Sequence, residues 1–562
     1  MVLMFPSIHT TVNQPGSDAL ERRNFLRLGT AGSLGLAAAA AAASSRRVGA
    51  ACDDQAPVAR GELDELTVAD LQARMERGED TARSIVEKYL ARIDALDRQG
   101  PALRSVLETN PDALAIAERL DAERKAGKVR GPLHGIPVVL KDNVDTADRM
   151  TTTAGSLALE GWIPPRDACL AARLRDQGAI VLAKTNLSEW ANFRSTRSTS
   201  GWSARGGLCL NPYARDRNTS GSSSGSAVAI AASLSAVGVG TETDGSVVSP
   251  ANHACLVGVK PTVGLVSRSG IIPIAHSQDT AGPMTRTVRD AAILLGAMAG
   301  IDEADEATAA SRGKAHRDYT QFLDPAGLKG ARIGVPRKRL FGYSDAADRI
   351  AEAALDVLRT QGAVLVDPAD VPNVAEIGDP EFEVLLYEFK ADLNAYLARL
   401  PASAPVRSLA DAIRFNEEHE DREMPYFGQQ IFERAEKKGP LTDAAYRKAL
   451  SQCRRLSRTE GIDAVMAKHR LDALVMPTDS PSWVTDLING DHFVGGSSTI
   501  AAVSGYPHIT VPGGFEFGLP VGISFIGRAW SEPTLFKLAY AFEQATKHRR
   551  PPAFAPTMMP EA

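Results

Sequence analysis

From about residue 131 onward, short β-branched runs ending in Gly, Asp or Asn alternate with helical stretches, and few folds accept that rhythm. Residues 136–140, 179–183 and 237–240 read as strands, with helical patterns over 168–177 and 225–236 between them. Further strand candidates lie at 331–335, 363–366, 471–476, 508–511 and 521–526. Strands interleaved with helices imply an α/β fold, expected here as one large mixed central sheet flanked by helices. Before it, residues 62–127 carry helical periodicity through Leu66, Leu71, Ile85, Tyr89, Ile93 and Leu120, with Thr67 and Thr81 as N-caps. That stretch is expected to form an N-terminal helical arm. Residues 376–465 are mostly charged and helical, which predicts an insertion covering one side of the sheet within a main domain of 128–550. An amphipathic helix over 533–547 closes the chain, and no internal repeat is present.

Composition narrows the function classes. At 562 residues, with 44% hydrophobic and 23% charged positions, the chain is globular and can bury a large core. Net charge is −5, and about −8 once the five Arg and two acids of residues 1–51 are set aside. A mildly acidic body without a basic block argues against a nucleic-acid partner. Cys52, Cys169, Cys209, Cys255 and Cys453 form no C-x-x-C, so neither a zinc site nor a disulfide framework is signalled.

Residues 1–51 read as an address. Glu21-Arg-Arg-Asn-Phe-Leu-Arg27, an Ala/Gly stretch and a small-residue finish resemble a twin-arginine export signal. The usual pattern has Ser or Thr before the Arg pair and Lys after the Leu; here those positions hold Glu21 and Arg27. The bland alternative is a basic tail before an Ala-rich helix. A membrane span needs about 20 strongly apolar residues, and this run is too mild. With cleavage near Ala51 the mature chain is expected outside the cytoplasm, in the periplasm first, with secretion as an alternative; Val48-Gly-Ala-Ala-Cys52 also permits a lipid on Cys52, ranked second because Arg46 and Arg47 sit awkwardly for it.

Three segments concentrate the chemistry. In 131–146 an apolar strand delivers Lys141, followed by Asp142 and Asn143. Residues 219–227 are a Gly/Ser run entering an Ala-rich helix, and in 237–250 a strand breaks into Thr243-Asp244-Gly245 and presents Ser246. Strand ends in α/β sheets are where reacting groups are commonly placed. Taken singly, each segment reads as a solvated charge, a flexible loop or turn chemistry.

Together, in this order and spacing, they resemble the amidase signature family, hydrolases that cleave carboxamides with a Ser–Ser–Lys triad. The resemblance spans nearly all of 130–300 and recurs in DALVMPT (472–478), GYPHITVPGG (505–514) and VGISFIGR (521–528). SEWANFRS, GTETDGS and VGVKPTVGLVSRSGIIP look closest to the peptide-amidase-like branch, which acts on C-terminal carboxamides of peptides. The resemblance implies the amidase signature fold, no cofactor and no metal. It assigns Ser246 as nucleophile, Ser222, on a cis peptide, as the bridging hydroxyl, and Lys141 as the base. A Lys amine starts near pKa 10.4, so burial must depress it before it can take a proton near neutrality, and Asp142 must point away. Backbone N–H groups of Thr243, Asp244 and Gly245 are the expected oxyanion donors, each typically worth ~10²–10³ in rate. The commonest family turn has two glycines before the nucleophile; Asp244 departs from it, although the branch wording TETDGS shares the departure.

Rival readings stand beside this one. Gly221-Ser-Ser-Ser-Gly225 satisfies G-x-S-x-G with Ser223 as the nucleophile of an α/β-hydrolase, and His508 is a candidate partner, but no apolar strand precedes the run. A non-catalytic carboxamide binder, or a relative of the transamidosome subunit that makes glutaminyl-tRNA, is a different class. His134, His253 and His276 lack a second ligand pair at metal spacing and are expected to pack structurally, like the Cys beyond residue 52. Pocket walls are expected from 376–430 and 479–500, with Trp202, Phe427 and Trp483 either lining a cleft or simply packed. The partner is therefore a small-molecule or peptide amide, with oligomeric state left open.

Overall fold

The computed structural model describes residues 61–558. The export-address reading of 1–51 and the lipid reading of Cys52 lie outside the described residues. Among the described residues, no helix is long and apolar enough to cross a membrane.

The strands of the described residues run, in chain order, β1 (Val106–Thr109), β2 (Pro137–Lys141), β3 (Ile180–Thr185), β4 (Trp202–Ser203), β5 (Gly207–Leu208), β6 (Val237–Glu242), β7 (Val257–Lys260), β8 (Thr280–Thr285), β9 (Arg332–Gly334), β10 (Val364–Val366), β11 (Ala473–Pro477), β12 (His508–Glu516) and β13 (Leu519–Ile526). The β4 and β5 strands pair as a separate hairpin. The other eleven form one mixed sheet in the order β1-β3-β2-β6-β8-β7-β12-β13-β11-β9-β10. The β2–β3, β2–β6, β9–β10 and β9–β11 pairs are parallel, and the rest are antiparallel.

All eight strand expectations match a strand to within two residues at the start, though β12 runs on to Glu516. The sequence reading missed three strands of the sheet. β1 lies inside the arm, pairing Glu108 with Lys184 of β3 at the sheet edge, so the arm is not wholly helical. Its VLET sequence is half-exposed throughout and lacks an apolar signature. β7 is only four residues long and follows the helix Val248–His253 almost directly. β8 reads TAGPMT, yet it is buried from end to end. A side chain at Gly282 would meet the Val259 carbonyl, so close strand approach, not apolar patterning, selects that residue.

Local signals set the helices that were legible. Thr67 and Thr81 each cap a helix, over Val68–Glu76 and Ala82–Arg92, through capping boxes. Leu71, Ile85 and Tyr89 face the core from them, fully buried. The helix expected over 225–236 stops at Ala231, because Ser233 adopts left-handed φ and the chain turns into β6. The insertion contributes the helices Gly378–Leu397, Leu409–Glu418, Gln430–Glu436 and Ala444–Arg454. Leu385, Phe389, Leu393, Leu409 and Phe432 bury its apolar faces, each such side chain stabilising by about 1.5–3 kcal/mol. That cluster rests on Trp190 and Phe193, with edge-on rings at 5.7 Å (Trp190–Phe432) and 5.0 Å (Phe193–Phe389), which docks the insertion beside the strand ends.

The Gly/Ser run owes Gly225 to a close approach: a Cβ there would lie 2.3 Å from the Ser105 carbonyl oxygen and 2.5 Å from that of Asn186. Gly378, in contrast, has open space around it. Gly225→Ala is therefore expected to lower stability by about 2 kcal/mol or more, through overpacking against backbone that cannot give way. Gly378→Ala should be neutral or stabilising by up to about 1 kcal/mol. Urea midpoints of the two variants measured side by side check this.

Candidate active site

Parallel pairing of β2 with β6, with Leu140 opposite Val239, brings the C-terminal ends of the two strands together. Lys141 is the last residue of β2 and is fully buried. Its Nζ lies 2.7 Å from Ser222 Oγ, 2.9 Å from Thr241 Oγ1 and 3.2 Å from the Thr241 carbonyl. Asn143 Nδ2 also donates to Thr241 Oγ1, at 2.9 Å. A neutral amine has two N–H groups and one lone pair. With both hydrogens given to Thr241, the lone pair faces Ser222 and can receive its hydroxyl proton. Burial pushes the Lys141 pKa down to about 7, although Asp279 and Glu242 pull the other way. Asp142 does turn away: its carboxylate accepts from the amide and hydroxyl of Thr153.

The Gly/Ser loop is held from three sides. Ser188 N donates to the Ser222 carbonyl at 3.0 Å, and Ser223 N donates to the Ser246 carbonyl at 3.2 Å. Asn218 Oδ1 accepts from Ser220 N at 2.6 Å. The Gly221–Ser222 peptide is cis. Ser246 is 2% exposed, and its Oγ has no hydrogen-bond partner among the described residues. The hydroxyl chain is thus closed between Lys141 and Ser222 and open at Ser246.

The turn before Ser246 is pinned by groups that local sequence did not single out. Thr243 Oγ1 donates to Asp279 Oδ1 at 2.6 Å, while Asp279 Oδ2 takes the amides of Ile274 and Ala275. Burial pushes the Asp279 carboxyl up to about 6 against those three donors. Glu242 Oε2 holds the amides of Val247 and Val248, fixing the chain just past the turn. Gly245 has φ +82° and lies against Ser498, so a side chain there would be strained and crowded. Thr499 Oγ1 donates to Asp244 Oδ2 at 2.8 Å, and Glu381 from the insertion approaches the same carboxylate. Segments 376–430 and 479–500 therefore do reach the turn, through Glu381, Ser498 and Thr499. A small cavity beside it is lined by Asn143, Ala191, Thr243, Ile271, Ile272 and Asp279.

Thr241 had the clearest sequence signal among the missed residues, since it lies at the end of the strand that leads into the turn. Asp279 and Glu381 had none, because they arrive from distant segments.

The rival nucleophile is committed elsewhere. Ser223 Oγ donates to the Thr241 carbonyl at 3.1 Å and accepts from the Thr241 amide at 3.2 Å, bracing β6 instead of facing a cleft. His508 begins β12, and its ring bonds to Ser524. Burial, with Lys260 nearby, lowers its pKa to about 3. The α/β-hydrolase reading fails on both residues. His134 and His253 pack structurally, with ring nitrogens on the Leu120 and Ser249 carbonyls. His276 does not: it is half-exposed, with Nδ1 2.9 Å from Asp392 and Nε2 3.4 Å from Glu388. Two carboxylates on opposite nitrogens suit an imidazolium better than a metal ligand, and although burial works against the charge, they raise the ring's pKa. Cys209, Cys255 and Cys453 are buried, whereas Cys169 is only partly so. Trp202 and Phe427 pack edge-on at 5.2 Å beneath Arg194, and Trp483 packs on His253.

A family model described as Amidase matches residues 84–536. The X-ray structure of native peptide amidase from Stenotrophomonas maltophilia is 54% identical, with a TM-score of 0.84, covering 88% of this chain and 99% of that one. A probable amidase of Arabidopsis thaliana is 43% identical over 501 residues, 88% of this chain and 92% of its own. A glutamyl-tRNA(Gln) amidotransferase subunit of Halorhodospira halophila is 35% identical over 508 residues, 87% of this chain and 99% of its own.

Lys141 should cost the fold stability. Its pKa falls from 10.5 to about 7 on folding, so the unfolded chain binds more protons between those values and stability rises with pH across that window. The cost is greatest below pH 7 and fades toward 10.5. Lys141→Met is expected to stabilise at pH 7 by on the order of 3 kcal/mol, with the gain shrinking at pH 10. Paired urea melts at the two pH values measure it.

Proposed function

Because the chain belongs to the amidase signature family, hydrolases of amide C–N bonds, we propose that it cleaves a carboxamide through an acyl-enzyme on Ser246, with Ser222 and Lys141 as its proton relay. The observation that carries this reading is the 2.7 Å contact between a buried, depressed Lys141 amine and Ser222, on a loop that itself bonds the Ser246 backbone. A serine hydroxyl is a weak nucleophile until a base removes its proton.

In the proposed mechanism Ser246 Oγ attacks the amide carbonyl carbon. Its proton passes to Ser222 Oγ as the Ser222 proton moves to Lys141 Nζ. The open link at Ser246 closes as attack proceeds, since relay hydrogen bonds commonly tighten only on the way to the transition state. The oxyanion lies against backbone N–H groups of Thr243, Asp244 and Gly245. Lys141, through Ser222, then returns a proton to the leaving nitrogen, and the C–N bond breaks to release ammonia or an amine. Water attacks the ester by the same relay and frees the acid and Ser246.

For the substrate we favour the C-terminal carboxamide of a peptide. Support comes from the 54% identity to a peptide amidase across almost that whole protein, against 35% to the amidotransferase subunit. The apolar Ile271 and Ile272 beside the turn also suit a neutral amide better than a charged tRNA end. The same reading takes Arg22-Arg23 and the Ala-rich stretch as an address that sends the enzyme out of the cytoplasm.

An ammonia-release screen across peptide amides, aryl amides and free amino-acid amides tests the substrate. Ser246→Ala should lower kcat by on the order of 10⁴-fold or more and abolish the mass adduct with a serine-directed probe. Ser223→Ala should keep that adduct while losing about 1 kcal/mol of stability. Full activity in Ser246→Ala, with loss in Ser223→Ala, would overturn the assignment. For wild type, kcat/KM should rise through pH about 7, where Lys141 gives up its proton. A flat profile from pH 5 to 9, together with a Lys141→Ala variant that keeps wild-type activity, would contradict the relay.

A further inference from the structure

We propose that Glu381 is a positioning residue for the oxyanion turn: its carboxylic O–H donates a hydrogen bond to Asp244 and fixes that side chain, and with it the turn's backbone, away from the oxyanion pocket. The inference rests on the reading of residues 243–245 as oxyanion donors. Asp244 stands where the family's commonest turn has glycine, so its carboxylate must be disposed of without disturbing the amides. One oxygen is accounted for: Oδ2 accepts from Thr499. The other, Oδ1, is buried and receives no hydrogen from any amide, amine or hydroxyl among the described residues.

Glu381 supplies what is missing. It lies in the first turn of the helix Gly378–Leu397, is 1% exposed, and its carboxyl is within hydrogen-bonding reach of Asp244. Gln278 Nε2 donates to Glu381 Oε1 at 2.9 Å, which leaves the second Glu381 oxygen for Asp244. Two buried carboxyls in contact cannot both be ionised, so the pair holds one proton. Thr499 already donates to Asp244, which suits Asp244 as the acceptor of the pair and Glu381 as its donor, and burial and the adjoining Asp244 push the Glu381 carboxyl the same way, well above the usual range. The other titratable neighbours are Cys453 beside Glu381, and Glu242 and Lys260 around Asp244. The pair thus carries one negative charge instead of two next to a developing oxyanion, and the helical insertion gains a hand in the chemistry.

A glutamine reproduces a protonated glutamate: its carbonyl accepts from Gln278 and its NH₂ donates to Asp244. Kinetics of Glu381→Ala, Glu381→Gln, Asp244→Ala and the Glu381→Ala/Asp244→Ala double variant, on the peptide-amide substrate, therefore decide the matter. Glu381→Ala should lower kcat about ten- to a hundredfold, the range expected for a buried carboxylate left unpaired, with little change in KM. Glu381→Gln should restore most of that loss. In the Asp244→Ala background Glu381→Ala should have almost no further effect, because Glu381 acts through Asp244. Additive losses, a Glu381→Gln as impaired as Glu381→Ala, or a Glu381→Ala that lowers only the melting temperature would each overturn the proposal. If the probe adduct failed to map to Ser246 in wild type, the parent reading would fall instead, so the two failures are distinguishable.

Discussion

An amine taken wholly out of water, with no carboxylate touching it among the described residues, is the constraint around which this structure is arranged. Lys141 keeps company with a carbonyl, two hydroxyls and a side-chain amide one bond further on. Those partners solvate an NH₂ group nearly as well as water does, and an NH₃⁺ group much less well. The nearest acids are committed elsewhere: Asp142 to Thr153, Glu242 to the helix start at Val247, Asp279 to Thr243 and two amides. Each would raise the lysine's affinity for its proton if it swung inward.

The same commitment of polar groups extends outward from the lysine. Ser223, adjacent to Ser222, places its hydroxyl on the backbone of Thr241, so the loop and the strand are tied in register by one side chain. Ser188 and Asn218 hold the loop from its other side. The helical insertion, docked through Trp190 and Phe193, brings Glu381 to the turn. An element that reads as a cover for the sheet is therefore also a wall of the site.

Much of this could be read in advance. The β2, β3 and β6 strands announce themselves by β-branched runs, and Thr67 and Thr81 by capping chemistry. Lys141, Ser222 and Ser246 stood out because strand ends and Gly/Ser turns are local patterns that a family resemblance sharpens. The β1 and β8 strands did not stand out. Their residues suit an exposed edge and a crowded centre, and neither environment leaves an apolar alternation. His276 departs from the packed role expected of it for a similar reason, since its contacts are to Glu388 and Asp392, more than a hundred positions away.

By itself the sequence determined the alternation of strand and helix, and the order in which Lys141, Ser222 and Ser246 follow one another. Those are properties of near neighbours along a chain. Only the tertiary structure decided that Thr241 shares the amine, that Ser223 is a brace, and that Glu381 meets Asp244. A proton's affinity for any of these groups depends on what surrounds them in space, and folding alone brings that surrounding together.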